Sequence, residues 1–391
     1  MNKHEPISSA GRRFVSEKPF DPYAIEALNP EQERLSKASQ SQLIWWAFLR
    51  HKPAVISMWV LIGFIFIAIF CEVLAPYALN KRHINEIYAP PKVIRVFHEG
   101  EFHRPFVYGW TMQLDLDTLK REYTVDKTQV YPLEVWCRGE SYRMWGLFEW
   151  DRHLFCAADN GPMFLFGTDR LGRDILSRML YGSRISLTIG LLGVLVSLVL
   201  GVILGGLAGY LGGWVDTVIQ RVIEVIQSIP TLPLWLALAA IMPVHWSPLF
   251  VYFGITFILG LLDWTGLARV VRSKLLALRE EDYVMAAKMM GAGTSRIIRN
   301  HLLPGVTSHL IATATLAIPT MILAETALSF LGLGLRAPIT SWGVLLVEAQ
   351  NINAVALYPW LLTPTIPVII VILAFNFLGD GLRDAADPYK H

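Results

Sequence analysis

Six stretches of this chain each run for about twenty residues with no more than one charged side chain. They cover 54–75, 185–210, 222–242, 249–268, 311–331 and 360–378, and their few charges are Glu72, Glu224, Asp263 and Glu325. A bilayer core of roughly 30 Å takes about twenty apolar residues in a helix, so each run is long enough to span it. The alternating pattern of a membrane barrel is missing, and helices are the other structure that satisfies every backbone group in lipid. Composition agrees: 17% of residues are charged, against roughly 25% in soluble domains. A net charge of +2 gives no electrostatic case for nucleic acid. Aromatics at 12% exclude disorder, and three cysteines in 391 residues do not make a disulfide scaffold.

Orientation follows from Lys and Arg in the short loops. The loops after the second and fourth runs carry eight of them, including Arg221, Arg269, Arg272, Lys274 and Arg279. Those after the third and fifth carry one, Arg336. The basic side is expected to be cytoplasmic, with both termini inside. Arg170, Arg173, Arg178 and Arg184 crowd the opposite side, on a long translocated segment that largely escapes the rule.

The chain is therefore expected to be an all-α, six-span membrane protein. A polar tail covers 1–53; its first half holds Pro6, Pro19, Pro22 and Pro30, and an amphipathic helix over 31–52 ends near Pro53. The span at 54–75 reads as an anchor, not a cleaved signal. An external insert with an interfacial helix covers 76–184. A core of five spans covers 185–380, broken by a basic segment at 269–305, and a short tail covers 381–391.

The segment DYVMAAKMMGAGTSRIIRNHLLPG, 282–305, predicts two short helices. Glu280, Glu281 and Asp282 suit a helix N-terminus, Gly291 and Gly293 stop the first helix, and Thr294 or Ser295 caps a second that Pro304 closes. Ala286 and Ala287 offer a small flat surface. The pair is either a lever lying in a partner's groove or a plain amphipathic loop.

The spacing of Ala286-Ala287, Gly291 and Leu303-Pro304 resembles the coupling loop of permease subunits of ABC importers. Met285 stands where that family usually has glutamate, which removes a salt-bridging carboxylate, and His301 where it has an aliphatic residue. GTDRLGRDILSRMLYGSRISL at 167–187, LAETALSFLGLGL at 323–335 with Ser341-Trp342-Gly343, and FNFLGDGLRDAADP at 375–388 are similar to the C-type subunit of dipeptide, oligopeptide and nickel importers. The likeness covers the first span and roughly 165–388; the insert at about 78–165 is less typical.

The resemblance implies a type I importer permease in the bacterial inner membrane. It implies a B-type permease partner, two ATPase subunits that bind ATP and Mg, and a periplasmic substrate-binding protein. This chain would hold no cofactor or metal and no catalytic residue, and it contains no Gly-Lys pair for a phosphate loop. The docking residues would be Tyr283, Ala286, Ala287, Gly291, Leu303 and Pro304. The cargo would be a peptide, with nickel or an oligosaccharide as alternatives. A proton-coupled transporter acting alone is the competing reading; it calls for a relay of buried acids and inverted repeats, and neither is visible.

Further residues stand out. Leu171, Ile175, Leu176, Met179 and Leu180 share a helical stripe, an interfacial helix that either anchors the second span or, with Asp169, Arg173 and Asp174, forms a platform for an external partner. Gly201, Gly205 and Gly209 make a close-packing seam, facing a second subunit or another span. Glu325, with Ser329 one turn on, either lines the path or gate or is a satisfied structural acid. Asp263 could pair with Arg269. In the insert, Trp110, Trp136, Trp145 and Trp150 suggest a folded cap or a recognition surface, and Cys137 and Cys156 could pair in an oxidising compartment.

Overall fold

The computed structural model describes residues 38–114, 121–158, 161–243 and 245–386. The proline-rich part of the tail and the last five residues lie outside them. Two compact units divide at Leu43. Of the first, the described part is a bend at 38–39 and the start of a helix, where the Ser39 N–H donates to Gln42 Oε1 at 3.0 Å.

That helix, α1, is Gln40–Arg50, and α2 is Lys52–Ile69. His51 Nδ1 accepts from the Ala54 N–H at 3.2 Å and caps α2, and Pro53 sits in its first turn, where a missing N–H costs nothing. A break at Phe70 leads into the short α3, Cys71–Leu74.

The insert corrects the all-α expectation. Strands β1 Arg95–His98, β2 Glu101–Leu114, β3 Arg121–Met144 and β4 Phe148–Ala157 form one antiparallel meander in chain order. The long β3 pairs its first half with β2 and its second with β4. Thr, Val, Tyr, Trp and Phe recur along these strands, and such side chains favour a pleated, half-buried surface.

Helix α4, Ile175–Leu211, is 37 residues long, about 55 Å at 1.5 Å per residue. It absorbs the expected interfacial helix: Ile175, Leu176, Met179 and Leu180 belong to the same rod as the second span, capped at Asp174. Gly212 and Gly213, both at positive φ, turn the chain into α5, Gly213–Ser228, which is followed by α6, Thr231–Ala240. These two cross at 87°. Ile229 is extended because it precedes Pro230, so the expected straight third span is instead two helices with a sharp bend between them.

The remaining helices are α7 Pro248–Leu278, α8 Asp282–Met289, α9 Thr294–Ile297, α10 Leu303–Phe330, α11 Trp342–Leu346, α12 Ile352–Leu357 and α13 Thr365–Ala386. The expected tail boundary at 381 therefore falls inside α13. Among the described residues, five helices are long and apolar enough to cross a membrane, six if the bent pair counts as one span. This is a multi-pass membrane protein, mostly helical.

The core lies where α4, α7, α10, α11 and α13 meet, at Ile189, Ile255, Leu259, Ile322, Trp342 and Val371, all fully buried. The glycine seam packs inside the chain: a side-chain carbon on Gly201 would strike Leu267, and one on Gly209 would lie 2.8 Å from the Arg272 carbonyl. Those are α7 residues, so the seam joins α4 to α7 at backbone distance.

Candidate functional site

The segment between α7 and α10 forms an elbow. Its first arm, α8, ends in two bonds: the Gly291 N–H donates to the Lys288 carbonyl and the Ala292 N–H to the Ala287 carbonyl, at 3.0 and 3.1 Å. This is the Schellman pattern, with Gly291 at φ +81°, a conformation that costs other residues about 1–2 kcal/mol. The second arm differs from expectation. Pro304 does not close a helix; α9 continues through a π turn at 298–302 into α10, with Pro304 in the first turn of α10. Proline is tolerated there, and the wider turn lets the rod run on.

Val284 and Ala287 from α8, Ile297 from α9, and Leu302 and Val306 are buried, clustered with or beside Leu267, Val271 and Leu275 of α7. The elbow is thereby held against two long helices. Ala287 faces this core, so the two alanines do not share an exposed surface; Ala286 is outside with Tyr283 and Pro304, while Leu303 is half-buried. The outer face also carries Met285, Met289 and Met290, the last two more than 80% exposed. Sequence reasoning noted Met285 only as a lost carboxylate and passed over Met289 and Met290, although the spacing of Met285 and Met289 marked a stripe of adaptable apolar side chains. Nearby, Arg272 of α7 grips Asp216 of α5 through two nitrogens at 2.5 Å, while Asp263 and Arg269 form no ion pair among the described residues.

Glu325 is 0% exposed. Its Oε1 accepts from the hydroxyls of Ser329 and Ser341, each at 2.6 Å. Ser329 Oγ in turn accepts from the Leu335 N–H, and Ser341 caps α11. Trp342 donates its indole N–H to the Met179 carbonyl and its backbone N–H to Ser186 Oγ, both at 3.1 Å. The acid thus ties α10 to the α11 turn, which is locked onto α4. Glu325 Oε2 and Thr326 Oγ1 are buried without partners.

The loop before α4 is a buried charge cluster. Asp169 Oδ2 accepts from Arg173 Nε at 2.6 Å and Arg178 at 2.5 Å, and Oδ1 accepts from the Leu171 and Arg173 N–H groups. Asp174 Oδ2 accepts from the Ser177 N–H and hydroxyl at 2.7 and 2.6 Å. Burial pushes the Asp174 carboxyl up to about 7 against those two bonds. Asp169, Arg173 and Asp174 therefore face inward and shape the loop; they do not form an exposed platform. Arg170 is the exposed member, 3.6 Å from Glu348.

In the insert, Cys137 and Cys156 are joined by a disulfide between β3 and β4, with Cα atoms 6.1 Å apart. At its root Lys92 lies 4.1 Å above the Trp110 ring and donates to the Tyr108 carbonyl at 3.0 Å; burial pulls its ammonium down to about 8. No group of three potential metal ligands occurs among the described residues.

Two family patterns match this chain. Residues 181–390 match the binding-protein-dependent transport system inner membrane component, and 39–91 match the N-terminal TM domain of oligopeptide transport permease C. The β-sheet lies between them. The dipeptide transport system permease protein DppC of Lactococcus lactis is 34% identical over 364 residues, 91% of this chain and 93% of that protein, so the match runs through the sheet. DppC of Bacillus subtilis is 42% identical over 57% of this chain and 68% of its own length. The oligopeptide transport system permease protein OppC of Escherichia coli K12 is 42% identical over 57% of this chain and 72% of its own length. With its long apolar helices and the elbow between α7 and α10, the chain belongs to the family of binding-protein-dependent transport system inner membrane components, as a C-type permease subunit.

Proposed function

We propose that this subunit forms half of a peptide-conducting path in the bacterial inner membrane, driven by separate ATPase subunits that dock on the elbow at 282–304. The observation that carries the reading is the elbow's construction, with one face buried against α7 and α10 and the other exposing Tyr283, Ala286, Met285, Met289 and Met290. A segment packed this way moves as a body with two long helices, so a push on it reaches the core around Trp342. The names of the relatives support peptides as cargo. Both termini would be cytoplasmic and the sheet external, as the loop charges suggest.

In this reading ATP closes the partner ATPase dimer, the docked elbows follow, and the path opens outward to a binding protein. Hydrolysis restores the inward-facing state. A B-type permease completes the path. The reading is tested by purifying the complex and reconstituting it. ATPase subunits are expected to co-purify, and peptide uptake is expected to need ATP on the elbow's side. Uptake by this chain alone on a proton gradient would overturn the proposal.

A further inference from the structure

Helix α2 spans 18 residues, about 27 Å at 1.5 Å per residue, close to the roughly 30 Å of a bilayer core. Arg50, His51 and Lys52 mark one boundary, so Ile69 sits at the other. Helix ends leave carbonyls without partners. Here the Ile69 carbonyl accepts from the indole N–H of Trp145, 2.8 Å away, and the Trp145 N–H donates to Glu72 Oε1 at 3.2 Å. Trp145 stands at the tip of the β3–β4 hairpin with φ +51°, followed by Gly146 at +74°. Positive φ is uncommon for a bulky residue, and these two bonds hold it there.

The hairpin is two-faced. Tyr142 pairs with Trp150 and Met144 with Phe148, while Arg143 pairs with Glu149 on the opposite face and salt-bridges to it at 3.4 Å. Tyr142 and Met144 are buried against Val73 of α3. The same face continues outward as Phe148 and Trp150, with Trp145 beside them and Leu147 at the tip 78% exposed. Through the Trp145–Ile69 bond the tip meets the end of α2, which carries an exposed apolar stripe of Ile62, Ile65, Phe66 and Ile69.

We propose that the β3–β4 tip is a membrane anchor, with Trp145, Leu147, Phe148 and Trp150 seated in the headgroup region of the leaflet on the sheet's side. Its occupant is lipid, because the exposed apolar tip is bonded to the last residue of a helix long and apolar enough to cross a membrane, at the level where that helix ends. Tryptophan and other amphipathic aromatic rings concentrate at this depth. The anchor fixes the sheet's height above the bilayer independently of any docking at the elbow.

The test places an environment-sensitive fluorophore on Leu147→Cys and, separately, on Glu149→Cys in the whole protein in lipid nanodiscs, with the unsubstituted chain as the labelling blank. The probe at 147 is expected to shift to the blue and be quenched by lipids carrying a shallow nitroxide. The probe at 149 is expected to be quenched by iodide in the water. Equal iodide quenching at both sites would overturn the anchor. So would a probe at 147 shielded from both quenchers, which would mean that a protein covers the tip.

Discussion

The guanidinium of Arg184 in α4 holds both carboxylate oxygens of Glu72 in α3, each at 2.6 Å, while its remaining N–H groups cap the Ala68 and Ile69 carbonyls at the end of α2. One side chain therefore closes a helix terminus, neutralises a buried acid and fastens the first span to the second. A cation at a helix C-terminus also meets the favourable end of the helix dipole.

Arg184→Met should be costly, because it leaves Glu72, nearly fully buried, without its counter-charge. A loss of about 3 kcal/mol is expected, the lower end for a broken buried pair since Arg184 is partly exposed. The double variant Glu72→Gln with Arg184→Met is expected to recover part of it. Thermal melting of the detergent-solubilised protein reads both; equal melting of Arg184→Met and the parent would refute the clamp.

Asp174 gives a pH dependence with a defined sign. Its folded pKa, about 7, lies above the ordinary 3.8. The folded chain keeps the proton where the unfolded chain has released it, so this group's contribution is fullest below about pH 4 and fades as pH climbs to about 7. Asp174→Asn keeps an oxygen for the Ser177 N–H and hydroxyl, and asparagine caps helices as well as aspartate. The variant is expected to flatten stability over that interval in melts from pH 4 to 8. An unchanged slope would assign the effect elsewhere.

Gly291→Val is expected to separate fuel consumption from transport. Nothing lies within 4 Å of a side-chain carbon at this position, so the damage is to the backbone, which must leave φ +81° or strain to keep it. The α8 corner would tilt while the spans insert as before. Peptide uptake should fall while ATP hydrolysis by the complex persists; full uptake would remove the elbow from the coupling route.

Glu325→Leu should strand two buried serine hydroxyls, a cost of about 1–3 kcal/mol for each unsatisfied group. Glu325→Gln retains one oxygen for Ser329 and Ser341 and should be the milder change. Melting temperature ranks the two variants, and a reversed order would refute the acceptor role of Glu325 in holding α10 to α11.

Much of the architecture was legible because lipid imposes simple requirements. A run such as 185–210, with no charge at all, has few stable conformations other than a buried or membrane-crossing helix. Gly291 was legible as a stop because glycine tolerates the left-handed corner that ends α8. The strands of the insert were not read from the sequence: residues such as Tyr123, Val125, Thr128 and Val130 favour a sheet, but their alternation is irregular and the sheet has three register shifts.

What the amino-acid order determined alone was therefore the membrane class, the glycine stop at the end of α8, and the family motifs. Which partner each polar group takes was decided by the tertiary structure. Asp216 meets Arg272 across 56 residues of sequence and Glu72 meets Arg184 across 112, while Asp263 passes over nearby Arg269. The reason is geometric: spacing along a helix says which face a side chain takes, but only the packing of α2, α4 and α7 determines what stands opposite that face.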